Sequence, residues 1–168
     1  MKTFRTALSF AMLLTTLAAV AEPNSQNSFD LLKTLSGSWE GKTEQGQPVA
    51  VSYRLTAADS ALMSEITMPG MKNDEHDMIS MFHLDNDRLL LTHYCSSGNQ
   101  PRMVASLSPD GKTVTFDFLD ATNLATPKTG HMNRVILNIV DSNHHTEEWR
   151  FIQDGKEIVR MFDLHRKS

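Results

Sequence analysis

After Gly37, apolar and polar side chains alternate with a period of two, and short turn sequences interrupt the alternation at regular intervals. Successive side chains of a β-strand point to opposite faces, so this period predicts strands with one buried face. The turns contain Gly, Pro, Asn and Asp, as in Pro109-Asp110-Gly111 and Asp154-Gly155. About ten short strands joined by hairpins predict an all-β fold, a single antiparallel up-and-down β-barrel.

A short amphipathic segment precedes the first strand. Phe29, Leu31, Leu32 and Leu35 recur every three or four residues, and Gly37 follows them. This spacing predicts a short helix that ends by Gly37. The predicted strands are residues 39–44, 49–56, 62–68, 77–84, 89–95, 102–107, 113–119, 131–140, 145–153 and 157–164.

The chain starts with the pattern of an export signal. Lys2 and Arg5 precede an uncharged apolar run at 7–20, and Ala19-Val20-Ala21 matches the small-x-small cleavage pattern. The run is shorter than the roughly 20 residues of a membrane-spanning helix. We therefore expect residues 1–21 to be a signal peptide that is cut after Ala21. The mature protein is then periplasmic or secreted and makes no membrane contact.

Cleavage would leave 147 residues, a flexible polar leader at 22–28 and one barrel domain at 29–168. The mature chain would have 14 basic and 20 acidic residues, a formal charge of −6. Nucleic-acid partners are disfavoured because binding to phosphates relies on clustered Lys and Arg. Cys95 is the only cysteine, so no internal disulfide can form and the fold depends on its core. We expect a monomer.

The segment 89–103, LLLTHYCSSGNQPRM, has the densest group of chemically versatile side chains. It predicts a strand, a tight polar turn and the start of the next strand. The ligand-binding residues predicted within it are His93, Tyr94, Cys95, Asn99, Gln100 and Arg102. A structural interpretation also fits. In that case Asn99 and Gln100 bond the turn's own backbone, and Arg102 pairs with a carboxylate such as Asp117 or Glu147.

Alternation adds two ligand-binding residues from a later strand. His131 and Asn133 share a face with Val135 in the strand 131–140, so both are predicted to point into the barrel. His93 is favoured to point inward as well, although both faces of its strand are partly apolar.

Several short motifs resemble a known group of barrels. Gly37-Ser38-Trp39-Glu40-Gly41, after a short helix, resembles the first strand of the calycin barrels, which include lipocalins and fatty-acid-binding proteins. THYC at 92–95, GNQPRM at 98–103, FDF at 116–118 and HM at 131–132 are similar to a family of secreted bacterial lipocalin-like proteins of unknown function. The resemblance covers roughly residues 29–165 and implies a calycin β-barrel but no particular activity.

The resemblance also implies a closure of the barrel base, in which a Trp of the first strand packs against a late Arg. Trp39 matches the Trp, and Arg160 or Arg166 is available as the Arg. Alternation places Arg160 on the inward face with Phe162. Its guanidinium therefore has two predicted roles: it packs on Trp39, or it binds the carboxylate of a fatty-acid-like ligand.

Two further functions use the same residues. His93, Cys95 and His131, with Glu65 or His76, contain the atoms of a metal or haem site, although no local ligand spacing supports one. Cys95 and His93 resemble a nucleophile and its base, without any accompanying catalytic motif. We therefore assign no cofactor, no metal ligand and no catalytic residue, and a non-enzymatic role is favoured.

The predicted function is the binding of a small apolar or amphipathic molecule inside the barrel. A barrel of this strand number has an interior of suitable size, with mostly apolar walls and a few fixed polar groups. On this hypothesis the interior contains a cavity of a few hundred Å³ to which His93 or His131 is exposed.

Overall fold

The computed structural model describes residues 25–68 and 78–168, which form one helix and ten strands. The predicted signal peptide, His76 and the turn Pro69-Gly70 lie outside the described residues. The elements are α1 Ser25–Lys33, β1 Gly37–Thr43, β2 Pro48–Thr56, β3 Ala61–Thr67, β4 Met78–Asp85, β5 Arg88–Tyr94, β6 Gln100–Leu107, β7 Thr113–Thr122, β8 His131–Asp141, β9 His144–Gln153 and β10 Lys156–Arg166.

The ten strands close into a single antiparallel barrel, which confirms the predicted fold class. Each strand pairs with the next one in sequence, and β10 pairs with β1 to close the sheet. All ten predicted strands are present, and no boundary differs by more than three residues. The helix begins at Ser25, so residues 25–28 are helical although they were predicted to belong to the flexible leader. Within residues 25–68 and 78–168, no helix has the length and apolarity needed to cross a membrane.

Short turns produce the up-and-down order. Asp154 and Gly155 connect β9 to β10, and both have positive φ angles, 51° and 73°. Asn86 in the turn between β4 and β5 also has a positive φ, 56°. Asn, Asp and Gly tolerate this left-handed backbone, which matches the twist of the two strands that it joins.

The alternating pattern fills the inside of the barrel. In β2, Val49, Val51 and Tyr53 are buried, while the residues between them are partly exposed. Phe29 and Leu32 of α1 join the same hydrophobic core, so the helix is fixed to the barrel by its apolar face. The core surrounds the interior side chains described below.

The end of the barrel next to α1, the base, is closed by Trp39 and Arg166. The two residues are cross-strand partners on β1 and β10, and the guanidinium carbon lies 4.2 Å from the centre of the Trp39 ring. A Cβ atom on Gly37 would lie 2.8 Å from the guanidinium, and Gly37 has a φ of +130°. The absence of a side chain at Gly37 therefore leaves room for the Arg166 guanidinium. Arg166 is thus the arginine that packs on Trp39.

The inward orientation predicted for Arg160 is wrong. Phe162 and Leu164 on β10 are buried, but Arg160 is exposed and lies 3.6 Å from the carboxylate of Glu44. The cause is the length of β1, which ends at Thr43, opposite Phe162. The earlier residues of β10 extend beyond β1, so their alternation no longer separates a buried face from an exposed one.

Candidate functional site

Four polar side chains form a row across one inner wall of the barrel. Tyr53 on β2 is the cross-strand partner of Ser64 on β3, Ser64 of Ser80 on β4, and Ser80 of His93 on β5. Direct cross-strand partners point to the same face of a sheet, and all four residues are buried. The register of four consecutive strands thus aligns these groups inside the barrel.

Strand β9 supplies the polar groups that this row meets. The Tyr53 hydroxyl donates to Oε1 of Glu147 at 2.6 Å, and the indole N–H of Trp149 donates to Oε2 at 2.8 Å. Nε2 of His145 lies 3.0 Å from Oε1. Burial, followed by the charge of Glu147, raises the pKa of the Tyr53 hydroxyl, which keeps its proton for this bond. We call Tyr53, Ser64, Ser80, His93, His145, Glu147 and Trp149 the interior polar cluster.

His93 is a neutral member of the cluster. Its Nδ1 lies 2.9 Å from the Ser80 hydroxyl, and its ring centre lies 5.1 Å from that of Trp149. The side chain is fully buried, which lowers the pKa of the imidazole to about 4 because the charged form would lose its hydration. His93 therefore offers one polar atom, Nε2, to the interior without adding a charge.

The pKa of His93 predicts a specific loss of stability in acid. The unfolded chain binds a proton near pH 6.5, whereas native His93 binds it only near pH 4. The free energy of unfolding should therefore fall by about 3 kcal/mol from this group as the pH decreases through that window. Urea unfolding across this range should show a smaller decrease for His93→Asn, which cannot titrate. His83→Asn removes a histidine outside the cluster as a control, and parallel wild-type and His93→Asn curves would contradict the assignment.

Three buried polar atoms of the cluster have no hydrogen-bond partner within the described part of the chain. They are the Ser64 hydroxyl, Nε2 of His93 and Nδ1 of His145. Most buried polar atoms in folded proteins are paired, and an unpaired one calls for a ligand, an ordered water or a catalytic role. Ser64 and His93 are on the same inner wall, so two of the three unpaired atoms lie on one side of the interior.

Of the residues predicted from the sequence to bind ligand, His93 alone belongs to the cluster. His131 is buried beside Phe118, with ring centres 4.8 Å apart, and its Nδ1 lies 2.8 Å from the backbone oxygen of Thr129. Asn133 is half-buried at an irregularity of β8, where the pairing with β9 shifts between Met132 and Arg134. The alternation that predicted an inward Asn133 is interrupted there.

The turn after β5 agrees in part with the structural interpretation: Gln100 bonds the turn's own backbone, whereas Asn99 bonds a distant segment. Asn99 is buried and donates to the backbone oxygen of Gly130 at 2.8 Å. Gln100 donates to the backbone oxygen of Gly98 at 3.3 Å and accepts from the Thr122 hydroxyl at 2.7 Å. The bonds to Gly130 and Thr122 tie the turn to the end of β7 and to the segment that follows it.

The remaining predicted residues of this hairpin lie on the outside. Tyr94 is 49% exposed, and Arg102 forms two hydrogen bonds to the carboxylate of Asp120, at 2.6 and 2.5 Å. The partner of Arg102 is thus Asp120, in place of the predicted Asp117 or Glu147. Cys95 is half-buried, and its thiol lies 3.4 Å from the Ser97 hydroxyl.

Within residues 25–68 and 78–168, the structure does not assemble the two alternative sites. His93 is bonded to Ser80 and Cys95 to Ser97, so no hydrogen bond joins the predicted nucleophile and base. Among the described residues, the side chains that lie close enough together to hold a metal are His144, Asp163 and His165, on the outer surface.

Sequence reasoning missed most of the interior polar cluster, including Glu147, which it named only as a possible partner of Arg102. The alternation itself contains the missing signal. Glu147 has the same parity as the large aromatic residue Trp149, and Ser64 lies between the buried residues Leu62 and Ile66. If polar residues at inward-facing positions had also been assigned to the interior, Glu147 and Ser64 would have been identified from the sequence.

Two surface cavities lie outside this cluster. One of about 330 Å³ is at the base, where Leu35, Ile139 and Arg166 line it. Another of about 300 Å³ lies along the outer wall beside Glu40 and Glu65. Neither of these two is lined by a member of the cluster, and the His93 side chain is fully buried.

The described residues define a closed, ten-stranded antiparallel β-barrel with a hydrogen-bonded polar cluster in its interior. The chain is similar in structure to Rv2717c from M. tuberculosis, with 16% identity and a TM-score of 0.56, over 84% of this chain and 98% of that one. It is also similar to a DUF3598-family protein of unknown function from Nostoc punctiforme, with 14% identity and a TM-score of 0.55, over 90% of this chain and 54% of that one. These likenesses show the fold alone. No family model and no curated protein matches the chain.

Proposed function

We propose that this protein is an exported, lipocalin-like barrel that binds a small amphipathic molecule in its interior. The observation that carries the proposal is the pair of unpaired buried atoms, the Ser64 hydroxyl and Nε2 of His93, on one inner wall. Polar atoms of a ligand that reach these two groups would satisfy donors and acceptors that otherwise cost free energy. Export is supported by the sequence of residues 1–21.

An apolar approach leads toward these atoms. Met68, Met78 and Phe151 lie at strand ends opposite the base, are partly exposed and pack on the hydrophobic core. Methionine has a flexible, polarisable side chain that adapts to different ligands. Because His93 is fully buried, the ligand has to displace side chains at this end of the barrel as it enters.

The charges inside the barrel select the polar group of the ligand. Glu147 is a buried acid, and the buried polar side chains among the described residues include no Lys or Arg. His93 is neutral at physiological pH. A carboxylate would lose its hydration without gaining a cation, so the ligand presents an uncharged hydroxyl or carbonyl. A fatty-acid-like ligand is disfavoured, since Arg160 is outside.

We expect 1-octanol to bind at least about tenfold more tightly than octanoate, because only the carboxylate has to be desolvated as an ion. Trp149 contacts His93 and reports binding through its fluorescence. His93→Asn should weaken octanol binding about fivefold, the value of one hydrogen bond. Tyr94→Ser, on the outer face of the same strand, is the matched control and should leave it unchanged.

Protein isolated from the periplasmic fraction of its host is the material for this titration. Its intact mass by native mass spectrometry should correspond to the 147 residues that follow Ala21, with one organic molecule bound. The binding proposal fails if neither probe gives a saturable change, or if His93→Asn and Tyr94→Ser weaken binding equally. A bound metal or haem in place of an organic molecule would also overturn it.

A further inference from the structure

Three potential metal ligands meet on the outer surface of the barrel, away from the interior polar cluster. His144 opens β9 and is the cross-strand partner of His165 on β10. Asp163 precedes His165 by two residues, so alternation puts both on the same face of β10. The pairing of two neighbouring strands thus brings two imidazoles and a carboxylate together.

The distances between the three side chains are short. Nε2 of His144 lies 2.7 Å from Oδ1 of Asp163, and Nε2 of His165 lies 3.7 Å from the same oxygen. One ligand atom from each residue lies within 4.8 Å of the other two. The two imidazole rings are stacked, with centres 4.4 Å apart and planes inclined by 17°.

These distances are close to the ligand separations around a bound transition metal. Zinc binds imidazole nitrogen and carboxylate oxygen at about 2.0–2.2 Å, which separates neighbouring tetrahedral ligands by about 3.3–3.5 Å. The observed separations of 2.7 and 3.7 Å lie on either side of this value. Small side-chain rotations would therefore complete the geometry without movement of the strands.

We propose that His144, Asp163 and His165 form a binding site for a divalent transition-metal ion of the zinc type. Two imidazoles and one carboxylate favour zinc, copper or nickel over magnesium and calcium, which prefer oxygen ligands. Asp163 and His165 are about two-thirds exposed, so water can occupy the remaining position of the metal.

An ion pair between His144 and Asp163 at 2.7 Å is the simpler explanation of the cluster, but it leaves His165 beyond hydrogen-bond distance, at 3.7 Å from the same oxygen. The third residue, His165, stacks its ring on His144. A metal accepts the lone pairs of two neutral imidazoles and explains all three positions.

The position of the site predicts its effect on the fold. His165 is adjacent to Arg166, which closes the base on Trp39. A metal shared by β9 and β10 would hold the end of β10 in place next to this closure. Because only the native state brings the three ligands together, zinc should raise the thermal midpoint of unfolding.

Equilibrium dialysis of the EDTA-treated protein against zinc chloride tests the site. We expect one zinc per chain, a higher Tm, and no displacement by excess magnesium. His144→Gln and His165→Gln should each weaken binding at least about tenfold and abolish the rise in Tm. His83→Gln, at a histidine on β4 whose Nδ1 faces the Leu84 backbone oxygen, is the control and should bind as the wild type does.

The same measurements decide against the site in three ways. The first is that the wild type takes up no zinc. The second is that all three variants lose zinc equally, which would indicate adventitious binding. The third is that magnesium displaces the zinc, which would indicate a site made of oxygen ligands only. Circular dichroism without metal confirms that the variants are folded before their affinities are compared. The substitutions are on the surface, where most changes cost little stability.

Discussion

Glu147→Ala is expected to lower the free energy of unfolding by about 3–5 kcal/mol. The carboxylate accepts hydrogen bonds from Tyr53 and Trp149 and lies 3.0 Å from Nε2 of His145. All of these groups are buried, so no water replaces the lost acceptor. Each buried donor left unpaired costs about 1–3 kcal/mol. Urea unfolding at neutral pH measures the loss.

The matched control is the next residue of the same strand. Glu148 faces outward, where its carboxylate lies 2.5 Å from Nε of Arg150. A partly exposed ion pair contributes about 0–1 kcal/mol, so Glu148→Ala should have little effect. If both alanine variants lose the same stability, the interior polar cluster does not hold β2 and β9 together. A Glu147→Ala protein as stable as the wild type would have the same meaning.

The fold was predictable because its main determinant is local. A strand with one face in the core needs apolar side chains at alternate positions. This alternation is visible in the sequence at Val49, Val51 and Tyr53. The turns are equally local, since the positive φ angles of Asp154 and Gly155 depend on the residue type at that position. Ten such strands joined by hairpins have few arrangements other than a barrel or a sandwich.

The interior polar cluster was harder to predict because it depends on contacts between distant strands. Tyr53 and Glu147 are 94 residues apart, and their bond exists only because barrel closure brings β2 opposite β9. Parity shows that Glu147 points inward, but it does not show which donors it meets. The partners of a side chain inside a barrel follow from the register of all the strands between them.

Local irregularities of the strands explain why alternation was a poor guide to the orientations of Asn133 and Arg160. Asn133 lies where the register of β8 shifts, so the face of a residue can no longer be counted from its neighbours. Arg160 lies where β10 extends beyond the end of β1. At that position a side chain on the inward-facing side of the strand is outside the closed part of the barrel. In both cases the sequence shows the strand, whereas the orientation depends on how far the neighbouring strand extends or pairs.

The choice between Arg160 and Arg166 gives the second large effect. Arg166 donates to the backbone oxygens of Ser36, Thr34 and Ser142 at 2.8, 2.8 and 2.9 Å, and it covers the ring of Trp39. One side chain therefore connects the end of β10 to the loop after α1 and to the turn between β8 and β9.

Arg166→Met keeps the apolar stem and removes the guanidinium. We expect the free energy of unfolding to fall by about 2–4 kcal/mol, from three charge-assisted hydrogen bonds and one cation–π contact that are only partly replaced by water. Arg160→Met removes a guanidinium that lies 3.6 Å from Glu44 on the surface, and its cost should stay below about 1 kcal/mol. Guanidinium chloride unfolding of both variants separates the two arginines. If Arg160→Met costs as much as Arg166→Met, the base is not closed by Arg166 and Trp39, and the barrel owes its closure to the strand pairing of β1 with β10 alone.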